Sequence, residues 1–132
     1  MYRIAFLTAG ALTLLACSDI ASEDLHTSGI YADILVSADG SGDSEVSAVL
    51  RAGGALSTTF VELTGDDQLT ATYKEETKAL TQTSLGTLHS FSASFDSADV
   101  GTDYLVALER SVDAGAPDTV IQLPEPFELT EL

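Results

Sequence analysis

The sequence has a single cysteine, Cys17, no tryptophan, three prolines and two histidines among 132 residues. One thiol excludes an intrachain disulfide, so the fold has to hold by apolar packing. The histidines, His26 and His89, lie more than sixty positions apart, and without a second thiol they do not make a four-ligand Cys/His zinc site. Positive charge is equally scarce: Lys and Arg number 5 against 21 Asp and Glu, for a formal net charge of −16. With no basic cluster to neutralise phosphates, nucleic-acid binding is excluded, and anionic lipid should repel the chain. Such acidity serves solubility and self-repulsion. The longest apolar run, Ile4 to Ala16, is also short. As a helix it would cover about 20 Å against a hydrocarbon core of about 30 Å, and Asp19 follows almost at once, so no transmembrane span is expected.

What is present at the start has a definite layout. The amine and Arg3 give a positive end, IAFLTAGALTLLA gives an apolar core, and together they read as a secretory signal helix. Leu14, Leu15, Ala16 and Cys17 resemble the lipobox of bacterial lipoproteins: an aliphatic residue three before the cysteine, a small residue just before it, and the thiol. The resemblance implies cleavage between Ala16 and Cys17, a diacylglyceryl thioether on Cys17, and an acylated amine bearing a chain such as palmitate. Three chains anchor a protein firmly, since two signals already suffice. In lipoproteins of enteric type an Asp directly after the cysteine favours the inner membrane; here that position is Ser18, which implies the outer membrane. Whether the domain faces periplasm or exterior stays open. Loss of residues 1–16 removes one basic side chain, taking the formal charge from −16 to −17.

Residues 18–27, SDIASEDLHT, are polar and without sustained period, and are expected to form a flexible tether of about 17 Å root-mean-square span. His26 would be solvated there. Residues 28–132 are expected to be one domain. From Ser28 the dominant period is two, with breaks at Gly, Asp and Pro. Ile30, Ile34 and Val36 share one face, as do Val46, Ala48 and Leu50, then Leu69, Ala71 and Tyr73, then His89, Phe91, Ala93 and Phe95. Pro124 and Pro126 mark an edge strand, because proline cannot donate to a ladder. Seven to eight short strands predict an all-β, two-sheet antiparallel sandwich.

One stretch sharpens this. Asp99, Gly101, Tyr104 and Val106 stand in the order D-x-G-x-x-Y-x-V, which resembles the corner before strand F of immunoglobulin-like and fibronectin-type domains. The resemblance implies an immunoglobulin-like sandwich in which the Tyr104 hydroxyl bonds to main chain a few residues upstream. Val106 stands where antibody domains often carry a cysteine, and no tryptophan packs on a bridge, as in a disulfide-free relative. TTFVELTGDDQLTA, GTDYLVALER and LPEPF are also similar to uncharacterised single-domain lipoproteins of Gram-negative bacteria.

The chemistry is sparser. Hydrolysis by a nucleophile needs a base against Ser or Cys. Cys17 is committed to lipid, and His89 on an inward face reads as structural unless a serine and a carboxylate gather around it. Carboxylates are plentiful enough for glycosidase chemistry, but no aromatic strip predicts a cleft. The best metal candidates are turn aspartates offering oxygen to calcium: Asp96, Asp99 and Asp103 in one turn, Asp39 and Asp43 in another. Their spacing matches no EF-hand, and turn aspartates ordinarily cap loops. The expectation is therefore a non-catalytic, lipid-anchored module that binds an envelope protein or glycan. A structural envelope protein, a small hydrolase and a calcium-binding module are the alternatives. A binding face would lie on the loop Val112 to Asp118 or on a free strand edge.

Overall fold

The structure, a computed structural model, describes residues 17–126; the expected signal helix and Ala16 lie outside the described residues. Ten strands are present, all but the first in the part of the sequence expected to be strand-rich: β1 (Ser18–Ala21), β2 (Ile30–Ala38), β3 (Ser44–Ala52), β4 (Thr59–Glu62), β5 (Gln68–Tyr73), β6 (Glu76–Ala79), β7 (Thr81–Leu85), β8 (Leu88–Phe95), β9 (Asp103–Glu109) and β10 (Ala116–Gln122). Helix among the described residues is limited to two 3-10 turns, Ser22–Asp24 and Thr27–Gly29.

One sheet contains the run β2–β3–β8–β7 and the other is β10–β9–β5–β6, and every pair among these eight strands is antiparallel. Relabelled A to G, these eight strands give the ABED and GFCC′ sheets of an immunoglobulin-like sandwich. The expected fold is therefore the observed one. Its strand count rises to ten because β1 and β4 pair in parallel with each other, from Ser18↔Thr59 to Ala21↔Glu62, and join β3 through Arg51↔Phe60.

The inward faces fall as the alternation predicts. Val46, Ala48 and Leu50 from β3, Leu69, Ala71 and Tyr73 from β5, and Phe91 and Phe95 from β8 are buried against Tyr104, Val106 and Leu108 of β9. Where antibody domains place a disulfide and a tryptophan, this core places three aromatics. Tyr73 and Tyr104 stack with centroids 4.3 Å apart, and Phe95 meets both edge-on. Aromatic pairs of this kind add about 0.5–1.5 kcal/mol beyond their area.

Three expectations are corrected. Tyr104 does sit at the start of β9, but its hydroxyl donates to Ser44 Oγ at 2.7 Å, and Ser44 in turn donates to the Ser97 carbonyl. The main-chain link of a tyrosine corner is thus relayed through β3, while the neighbouring Tyr73 hydroxyl accepts the Asp99 N–H. Pro124 and Pro126 follow β10 rather than lying in it. β10 is nonetheless an edge strand, and its register shifts between Ala116 and Thr119, where Pro117 lacks a donor.

The third correction concerns residues 18–27, which are not a free tether. Arg110, with its side chain fully buried, reaches across to this segment. It donates to the Ser22 carbonyl at 2.7 Å and to Thr27 Oγ1 at 3.0 Å while pairing with the equally buried Asp67 at 3.1 Å. Ser22 Oγ also accepts the Thr64 N–H, and Asp113 accepts the Thr27 N–H. Residues 18–21 are ordered by pairing with β4, and residues 22–27 because their polar groups satisfy one buried guanidinium, whose five donors need partners once desolvated. Gly65, at φ +59°, belongs to the same junction; a side chain there would run into the Glu23 carboxylate.

Candidate functional site at the fork of the sheet

The edge of β3 is divided between two neighbours. β8 pairs with it from Ser44 to Val49, and β4 takes over at Arg51. His89 lies one residue beyond the last β3–β8 pair, on the inward face shared with Phe91 and Phe95, and its side chain is 4% exposed. Directly opposite on β7 stands Ser84, because the β7–β8 hairpin closes at Leu85↔Leu88 around Gly86 and Thr87. Gly86 has φ +62°, the first central position of a II′-type turn, which sets this register.

Ser84 Oγ lies 2.7 Å from His89 Nδ1, and Asp19 Oδ2 of β1 lies 3.1 Å from His89 Nε2. Gln82 extends the chain of contacts: its Nε2 donates to Ser84 Oγ at 3.4 Å, and its Oε1 accepts the Leu63 N–H at 3.1 Å. Glu62 of β4 completes the cluster, with one ligand atom each from Asp19, Glu62 and His89 lying within 4.8 Å of one another. Asp19 and Glu62 are brought together by the parallel β1–β4 ribbon. No Lys or Arg among the described residues pairs with either carboxylate. All four basic residues of β2–β10 and their loops are engaged elsewhere: Arg51 with Asp33, Lys74 with Asp99, Lys78 with Glu76, and Arg110 with Asp67.

The imidazole has two arrangements open to it. With the proton on Nε2, the ring donates to Asp19 and accepts from the Ser84 hydroxyl, the polarity of a Ser–His–Asp chain. With the proton on Nδ1, the ring donates to Ser84 and turns a bare Nε2 toward the Asp19 carboxylate, with Glu62 in the same cluster. The first suits proton transfer from Ser84, and the second suits a cation.

The calcium candidates do not converge. Among the described residues, the metal-competent cluster is Asp19, Glu62 and His89; neither Asp96, Asp99 and Asp103 nor Asp39 and Asp43 form one. Asp99 contacts Lys74, which holds its carboxyl below the usual Asp value and raises the Lys74 amine, and Asp103 accepts from Gln122. The Ser41 hydroxyl and, after it, the Ser41 N–H hydrogen-bond Asp39 from two residues on, a turn cap that likewise lowers its carboxyl. Burial raises the Tyr104 phenol. The loop proposed for binding is partly committed as well: Ala116 to Asp118 belong to β10. Asp113, lowered chiefly by the Thr27 N–H, holds the N-terminal segment, and His26 approaches it at 3.6 Å. Cys17 is exposed, one residue before β1.

Sequence reasoning reached His89 and its inward face but missed its partners. The Gly86-Thr87 hairpin was the available signal for Ser84; Asp19, seventy positions away, had none. The chain matches no family model, no curated protein and no solved structure.

Proposed function

We propose that this chain is a lipoprotein of the bacterial outer membrane, anchored through acylated Cys17 and acting as a non-catalytic binding or accessory module for an envelope protein or glycan. The observation that supports this reading best is the join at Cys17: the exposed thiol stands immediately before β1, which is hydrogen-bonded to β4. Lipid on that residue would hold the sandwich flush against the bilayer, with no slack to carry it away. Among the described residues the basic side chains are all paired with carboxylates, which leaves no cationic patch there for anionic headgroups, so attachment would fall to the acyl chains. Cys17→Ser should abolish metabolic acyl labelling and release the protein from the membrane fraction; unchanged membrane retention would reject the anchor. Crosslinking in cells followed by capture separates a binding module, which returns a specific partner, from a structural protein, which returns abundant neighbours.

The Ser84–His89–Asp19 chain favours a second reading, a small hydrolase with Ser84 as nucleophile, His89 as base and Asp19 orienting the ring. Acyl transfer also needs N–H donors aimed at the developing oxyanion. Hydrolysis of an activated ester that disappears in both Ser84→Ala and His89→Gln would establish this reading; activity indifferent to Ser84 would remove it.

A further inference from the structure

We infer that Asp19, Glu62 and His89 form a binding site for a zinc-class divalent cation, which staples β1 to β4 and β8. Three observations converge. The ligand atoms come from three different strands and already lie within 4.8 Å of one another. The Nε2–Oδ2 separation of 3.1 Å is close to the edge of a zinc tetrahedron, about 3.4 Å for ligands at about 2.1 Å. The third concerns His89 itself. Its side chain is buried, its Nε2 faces the Asp19 carboxylate, and its Nδ1 has a hydroxyl partner of the kind that fixes a ligating tautomer from outside the metal shell.

Electrostatics gives the cation its reason. Asp19 and Glu62 approach each other on parallel strands of a chain with net charge −16, and no ammonium or guanidinium among the described residues comes to them. A dication bound by one neutral imidazole and two carboxylates leaves a neutral centre with a fourth position open to water. Asp19 is 43% exposed, so an ion can enter without unfolding the sandwich. The imidazole favours zinc-class ions over calcium, which takes oxygen donors. Because Asp19 is two residues from Cys17, occupancy would fasten the anchor strand to the domain. This inference is independent of lipidation.

The test is calorimetric titration of the full chain in detergent with zinc chloride, in a Cys17→Ser background so that no thiol competes. The expected result is one saturable equivalent, a rise in melting temperature, and slower amide exchange over Ser18–Ala21. Glu62→Gln and His89→Gln should each weaken binding at least about tenfold, Ser84→Ala by about tenfold as an outer-shell loss, and His26→Ala not at all. Glu62 is the safer variant for folding, being outside the hydrophobic core. No saturable binding, or an affinity unmoved by Glu62→Gln and Asp19→Asn, would overturn the site. Calcium binding as tight as zinc would also overturn it, since the imidazole would then not be a ligand.

Discussion

Two polar grips hold the N-terminal segment, and they differ in kind. Arg110 is permanently charged, fully buried, and pairs with a carboxylate that is equally buried; it grasps Ser22 and Thr27 from beneath. His89 is buried too, but its partner Asp19 is half in water, and its ring is held between Ser84 on one nitrogen and Asp19 on the other. Removing one side of a buried ion pair strands a charge, whereas loosening a contact to an exposed carboxylate merely returns it to solvent. Residues 22–29 are therefore tied to the sandwich by a buried charge, and residues 18–21 by the β1–β4 ladder together with the contact to His89. Neighbouring pieces of one twelve-residue stretch, 18–29, follow different rules.

The two grips separate most directly at Arg110. Arg110→Ala should cost about 3–5 kcal/mol in urea denaturation, because Asp67 is left buried and alone. Arg110→Met combined with Asp67→Leu should recover most of that loss; if it does not, the contacts to Ser22 and Thr27 matter more than the stranded charge. His89→Ala should cost about 1–3 kcal/mol and leave Ser84 without its ring partner. In hydrogen exchange it should speed the amides of Ser18–Ala21 while residues 22–29 keep their protection, and equal loosening of both would erase the distinction. Tyr104→Phe supplies a control far from either grip. It should lose about 1 kcal/mol with no change in the exchange of Ser18–Ala21.

The smallest effects belong to exposed groups. Asp19→Asn should change stability by less than about 1 kcal/mol in the metal-free protein. The lowered carboxyls of Asp113, Asp99 and Asp39 favour the folded state above the ordinary Asp value of about 3.9. As pH falls below that value the unfolded chain takes up protons first, so stability should decline through this acid range until the folded carboxyls are protonated as well. Asp113→Asn should flatten part of that decline if the Asp113 contact to Thr27 contributes.

The sandwich was legible because its strands carry the signal that burial writes: Leu69, Ala71 and Tyr73, or Val46, Ala48 and Leu50, alternate so regularly that one face has to go inside. The position of Tyr104 was readable for the same local reason. What escaped depends on contacts without a local signature. Ser22 and Thr27 look like linker residues until Arg110 arrives from more than eighty positions away, and a lone arginine among acidic residues does not announce that it is buried. Likewise Asp19, Glu62 and Ser84 are ordinary polar residues in sequence, and a forked sheet gathers them at His89. The relay through Ser44 shows the same limit, since the Tyr104 motif indicates a corner but not which oxygen completes it.

The parallel pairing of β1 with β4 has a mechanical consequence. Any load applied through Cys17 enters at the first residue of a strand whose hydrogen bonds run along its length from Ser18 to Ala21. A pull in line with β1 stresses these bonds together, while a sideways pull opens them one after another from Ser18. Beyond Ala21 the load meets Ser22, fixed to Arg110 and Thr64. The attachment would yield in two stages, a short strand first and then the buried guanidinium. The sandwich behind it would carry little tension until the second stage had failed.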